Sequence, residues 1–358
     1  MTVSKITIIV GILSILFYLS CSSSKNMSIS MPEKGVFFDK ISDYGIFSVK
    51  GAKLIPHEEL INYRVINALF SDYAEKGRFV YMPAGKKAEL QEDGFYKWPV
   101  GAMIVKNFGY TSDQLDQSKY METRLLIKED LEWKAVSYVW QDDGKDAIIS
   151  KVGDIKAMKI KHGEMTHEFD YVVPNKNQCR SCHNKNDKID PLGFKFANLN
   201  KNIDVNGVSI NQIDYLASKN IITRSNLEAA ENTMISYDDE TQSIQNRALA
   251  YLDVNCGHCH RPEGPGNTSG LFLQYNETRT NHLGFCKGPV AAGKGSGGRS
   301  YDIFPGNAEE SILYYRMSSE DPSAMMPEIG RSLVHAEGVE LIKQWINSID
   351  YDCSQESI

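Results

Sequence analysis

Two short stretches constrain this chain more than anything else in it. "NQCRSCHNK", residues 177–185, places Cys179, Cys182 and His183 together, and "NCGHCHRPEG", residues 255–264, repeats the arrangement with Cys256, Cys259 and His260. C-x-x-C-H is the attachment signature of c-type haem. Its thiols add to the two vinyl groups of one porphyrin, and the adjacent His supplies the proximal nitrogen to iron. A lone C-x-x-C would serve equally in a zinc knuckle or a thioredoxin-like redox pair. Two copies, each with His directly after the second Cys, point instead to two covalently bound c-type haems.

The other end of the chain gives the compartment. "MTVSKITIIVGILSILFYLSCSSSKN" opens with Lys5 and an apolar run from Ile6 to Leu19. That run is shorter than the roughly 20 residues a spanning helix takes, and it suits the core of a signal peptide. It ends in Leu19-Ser20-Cys21, followed by a polar Ser-rich tether, which resembles a bacterial lipoprotein cleavage site, with Tyr18 where such sites usually carry Leu. The alternative is an ordinary signal peptide with an incidental Cys. Either reading exports the chain, and haem attachment to C-x-x-C-H takes place outside the bacterial cytoplasm. The expected location is therefore the cell envelope, facing the periplasm or exterior, with a lipid on Cys21 as the membrane anchor.

Of seven cysteines, one is then the anchor and four bind haem. Cys286 and Cys353 remain, and an oxidising compartment favours a disulfide between them over two buried thiols. The net charge of −7, made more acidic by haem propionates, argues against a nucleic-acid partner. Hydrophobic and charged fractions of 42% and 24% are those of an ordinary globular body.

Residues 21–35 read as a tether. From 36 to about 175, "RFVYMP", "FYKWPVGAMIVKNF", "METRLLIKE" and "EWKAVSYVW" are rich in β-branched and aromatic residues and predict strands, with Trp98, Trp133 and Trp140 in the core. "KAMKIKHGEMTHEFDYVVP" continues toward the first motif, and "NQIDYLASKN" and "TRSNLEAAENTM" predict helices. Further on, Ile244, Ala248, Tyr251 and Leu252 share one helical face leading into the second motif. Val339, Ile342, Trp345, Ile346 and Ile349 share the face of a terminal helix that would cross it.

Between that second motif and the terminal helix lies "SAMMPEIG", which resembles the distal Met-Pro loop of cytochrome c. Met326, with Met325 as the alternative, is the expected sixth iron ligand, a soft thioether that favours ferrous iron. "YLDVNCGHCHRPEGPGNTSGLFL", "GPVAAGKGSGGRSYDIFPGNAEESILYYRM" and "MMPEIGRSLVHAEGVELIKQWI" resemble the C-terminal domain of a family of exported bacterial dihaem c-type cytochromes. "LFSDYAEKGRFVYMPAG", "WPVGAMIVKNF" and "VVPNKNQCRSCH" resemble its N-terminal half, which is also distantly similar to the β-rich haem fold of cytochrome c-prime-beta.

The resemblance implies electron transfer with redox partner proteins of the envelope. It also implies an α+β chain: a signal peptide over 1–20, a tether over 21–35, a β-rich domain over 36–235 with haem 1, and a mainly α cytochrome c-like domain over 236–353 with haem 2. The alternative function is a dihaem redox enzyme, peroxidase-like, with an open iron at haem 1. The distal side of haem 1 is undecided, with His162, Met165 and His167 near enough in sequence to fill it.

Other features carry less. Gly288 to Gly295, "GPVAAGKG", falls short of a phosphate-binding loop because Gly295 stands where Ser or Thr should follow Lys294. His258, inside the second motif, reads as exposed, and His57, His282 and His335 as surface or capping residues. No serine triad or paired-carboxylate site is visible. The lipoprotein reading predicts a mature N-terminus at Cys21, with Cys21→Ala blocking processing or releasing the protein from membranes. N-terminal sequencing that finds an unmodified, soluble protein starting elsewhere would refute it.

Overall fold

The computed structural model describes residues 28–224, 233–290 and 292–356. Cys21, the signal peptide and most of the helix expected over 223–234 lie outside them. Among the described residues no helix is long and apolar enough to cross a membrane.

The first half is built on a six-stranded antiparallel meander: β1 (Ile61–Asn62), β2 (Glu75–Tyr81), β3 (Met103–Tyr110), β4 (Lys119–Lys128), β5 (Trp133–Trp140) and β6 (Ala147–Ser150). Of these, β2 to β5 overlap the segments whose β-branched and aromatic content predicts strands. The sheet is covered on both faces, which is why its central strands read as nearly continuous apolar runs rather than strict alternations. One face packs Met103, Val105, Leu125, Val136 and Tyr138 against Ile41, Tyr44 and Ile46 of the N-terminal segment. The other carries Val80, Ile104, Leu126 and Ala135, packed with Trp98, Trp133, Phe194, Phe196 and Leu216. Gly109 sits at a register shift between β3 and β4, where a Cβ would lie 2.6 Å from the Lys119 carbonyl; the bulge therefore needs glycine. A hairpin of β7 (Asp154–His162) and β8 (Met165–Val173) leads into helix α1 (Lys176–Cys182), which packs on β5. Helix α2 (Gln212–Ser218) covers the sheet further along.

In the second half, α3 (Ile244–Asn255) crosses α5 (Ala336–Ser348), with α4 (Ile312–Ser318) beside α5. Ala248, Leu249, Tyr251 and Leu252 meet Leu341, Ile342, Trp345 and Ile346 in one core, close to the faces read from periodicity. Cys286 and Cys353 are joined in a disulfide, Cα atoms 5.4 Å apart.

One expectation is overturned. Strand takes 28% of the structure and helix 21%, the helices are short, and the fold is β-rich with no mainly α C-terminal domain. Between α3 and α4 the chain is turns, loops and single helical turns. "HRPEGPGNTSG" and "GPVAAGKGSGG" place glycine and proline where a helix would have to continue.

The two halves share a seam. The Asp72 carboxylate, buried at 4% exposure, accepts the backbone N–H groups of Ser332 (2.7 Å) and Leu333 (2.8 Å). Lys195 pairs with Asp253, and Asn255 Oδ1 accepts the Phe70 N–H at 2.8 Å.

The α3–α5 crossing sets a sharp test. A Cβ at Gly338 would lie 2.3 Å from the Tyr251 ring, and Tyr251 is buried and hydrogen-bonded to His335. Gly338→Ala gains up to about 1 kcal/mol of helix propensity but overpacks a fixed ring at a cost of about 1–3 kcal/mol. The expected outcome is a lower Tm in thermal unfolding. A Tm raised by the substitution would show that these helices do not meet at Gly338.

Candidate functional site

The first motif is positioned by α1. Asn175 and Gln178 form a reciprocal capping box, each side chain accepting the other's backbone N–H at 2.9 Å, which fixes where the helix starts. Cys179 and Cys182 are three apart and so share a face, and His183 caps the helix. The chain then turns through a tight hairpin, pairing Asn184 with Ile189 and placing Asn186 and Asp187 at φ 51° and 62°, the left-handed pair of such turns. This brings Asp190 back beside His183. The Asp190 carbonyl lies 2.9 Å from His183 Nδ1. A carbonyl only accepts, so Nδ1 carries the proton and Nε2 keeps its lone pair for a metal. Burial holds this imidazole neutral, its pKa lowered to about 4.

The second motif closes α3. Cys256 is the C-cap, and the chain folds back so tightly that a Cβ at Gly257 would lie 2.8 Å from the carbonyls of Asp253 and Leu273. Ser269 Oγ lies 3.4 Å from His260 Nδ1, and the His260 pKa is lowered chiefly by burial.

None of the four motif cysteines is in a disulfide. Burial raises each of them, Cys256 and Cys259 to about 12. A thioredoxin-like pair needs the opposite shift, toward thiolate. Among the described residues, no three or more His, Cys, Asp or Glu side chains converge as a metal-ligand cluster.

The two motifs open on one cavity of about 740 Å³ at the seam, within the roughly 300–1,000 Å³ usual for ligand sites. Cys179, Cys182 and His183 line it from the first half, and Cys256, Gly257 and His258 from the second; Cys259 and His260 do not form part of its wall. Met326 and Pro327 also line it, whereas Met325 is buried and does not. Arg331 sets the Met326 loop: its guanidinium donates to the Met326 carbonyl from Nη2 (2.9 Å) and Nε (3.2 Å), and to carbonyls of Arg316, Met317, Ser319 and Leu333.

Sequence reasoning missed a row of cations. Arg78, Lys106 and Arg124 are in register across β2, β3 and β4, and all three line the cavity. Burial and the neighbouring Arg78 push the Lys106 pKa well below its ordinary value. Glu122, fully buried, pairs with Arg124. The available signal was a charge inside each apolar strand, "MIVKNF" and "ETRLLI". The donors on this wall fit porphyrins with carboxylate arms: Cys179, Cys182 and the neutral His183 would hold one, Cys256 and Met326 would serve a second, and Arg78, Lys106 and Arg124 would face carboxylates.

Several histidines differ from expectation. His258 is not exposed; it is part of the cavity wall. His335, stacked 4.3 Å from Phe70 and hydrogen-bonded to Tyr251 Oη at 3.0 Å, also lines the cavity rather than the surface. His57 and His282 sit beside Glu59 and Glu277. His162, Met165 and His167 lie on the β7–β8 hairpin and do not line the cavity: His162 stacks on Tyr73 at 3.8 Å, and Met165 is 53% exposed. No family model, curated protein or solved structure matches the chain.

His335 gives a pH test. Burial lowers its pKa from 6.5 to about 4, so the unfolded chain takes up the proton first. Its contribution to stability is full above pH 6.5 and is lost as pH falls toward 4. His335→Phe keeps the stack on Phe70 and removes the titration. Denaturant midpoints should therefore fall less steeply over this window than in the parent protein, and equal slopes would contradict the assignment.

Proposed function

We propose that the protein is a dihaem c-type cytochrome that carries electrons in the bacterial cell envelope, between redox partner proteins. The observation that supports this best is that both C-x-x-C-H motifs contribute to one cavity, at which His183 is held neutral with Nε2 available. Cys179 and Cys182 would hold haem 1, with His183 as its proximal ligand. Cys256 and Cys259 would hold haem 2, with His260 proximal and Met326 distal. Each haem would supply one-electron ferric–ferrous chemistry. The protein's own part is to fix the ligands, exclude water, and balance the carboxylates with Arg78, Lys106 and Arg124. A thioether at haem 2 would raise its potential above that of a second imidazole.

A second reading, a dihaem redox enzyme with an open iron at haem 1, draws support from the failure of His162, Met165 and His167 to reach the cavity.

Optical spectra of the reduced protein with and without carbon monoxide separate the two. The carrier reading predicts no change in the parent protein, and a high-spin, carbon monoxide-binding haem 2 in Met326→Ala. Rapid peroxide turnover that survives Met326→Ala and disappears when His183 is replaced would favour the enzyme.

A further inference from the structure

The geometry points to His258 as the distal ligand of haem 1, supplied from inside the attachment motif of haem 2. This inference rests on the reading of both motifs as haem sites. His258 lines the same cavity as Cys179, Cys182 and His183. Its Nδ1 is buried and has no hydrogen-bond partner. Buried polar atoms left unpaired are rare in folded proteins and mark strain, catalysis or ligation. A neutral imidazole with an unsatisfied nitrogen is the form in which histidine binds iron.

The backbone at His258 is fixed on both sides. Gly257 has no room for a side chain, and the N–H groups of Cys259 and His260 are both bonded to the Cys256 carbonyl, at 3.0 and 2.9 Å. Of the distal candidates His162, Met165 and His167, none lines the cavity. Arg261, three residues beyond His258, donates to the Asn184 carbonyl through Nη2 at 3.4 Å, and the Glu263 carbonyl accepts the Asn186 N–H at 3.0 Å. These links tie the second motif directly to the hairpin behind His183. The consequence is a short covalent path: the porphyrin of haem 2, bonded at Cys259, would be one residue from the ligand of the other iron. The two haems would then act as a coupled pair.

The test uses the full-length holoprotein, with retention of two haems verified in every variant. Parent haem 1 should be low-spin and refuse carbon monoxide. His258→Ala should turn haem 1 high-spin and let it bind carbon monoxide, while the sulfur-to-iron absorption band of haem 2 persists. Added imidazole should restore the low-spin spectrum, a rescue that a merely structural role would not show. His258→Met, which keeps a ligand, should stay low-spin with a raised haem 1 potential. Parent protein that binds carbon monoxide at haem 1, or His258→Ala and His258→Met spectra identical to the parent's, would overturn the assignment while leaving the dihaem reading intact. Protein that carries no covalent haem would instead overturn the dihaem reading, and this assignment with it.

Discussion

The arrangement depends on one carboxylate that belongs to the first half and is satisfied by the second. Asp72 accepts the N–H groups of Ser332 and Leu333 across the seam, and its own carbonyl accepts the Tyr110 hydroxyl at 3.0 Å. Burial raises its pKa, opposed by those two backbone donors and by Arg331. Hydrogen bonds to a charged group contribute about 1.5–3 kcal/mol each, and a carboxylate stripped of them would stay buried and unpaired. The link also reaches the site. Arg331, next in chain to Ser332, holds the Met326 carbonyl, so the loop carrying the proposed axial ligand is fastened to the other half of the molecule. The cavity is a product of this seam, with neither half able to form its wall alone.

The wall has its own electrostatic demand. Three basic side chains abreast on a buried sheet face repel one another, and Glu122 beside Arg124 offsets only part of that. Burial first, and then the neighbouring Arg78, depress the Lys106 pKa. Groups so placed suit a ligand that brings its own negative charge into low dielectric. The carboxylate arms of the proposed porphyrin would supply that charge next to the thiols that would bond the ring.

Much of this was legible in the sequence, and the limits have physical causes. The strands β2 to β5 announced themselves because both faces are buried, and α3 and α5 through apolar positions at helical spacing. The motifs carry the proposal of haem, because thiol and imidazole at that spacing serve few other chemistries. The mainly α second half did not materialise, since the helical faces of α3 and α5 say nothing about the Gly- and Pro-rich chain between them. His258 was misplaced because exposure depends on what lies across the seam. Likewise, His162, Met165 and His167 were candidates by nearness in sequence, yet the β7–β8 hairpin carries them away from the cavity. The row Arg78, Lys106 and Arg124 is a matter of strand register, which links residues that are far apart in the chain.

The central claim is that both motifs of one shared cavity are covalently occupied by haem, and intact mass under acidic, denaturing conditions tests it most directly. The account predicts a polypeptide heavier than its apo-chain by two haems, and by one when Cys256→Ser and Cys259→Ser are combined. A mass equal to the bare chain, with haem extracted into the solvent or zinc bound in stoichiometric amount, would contradict it.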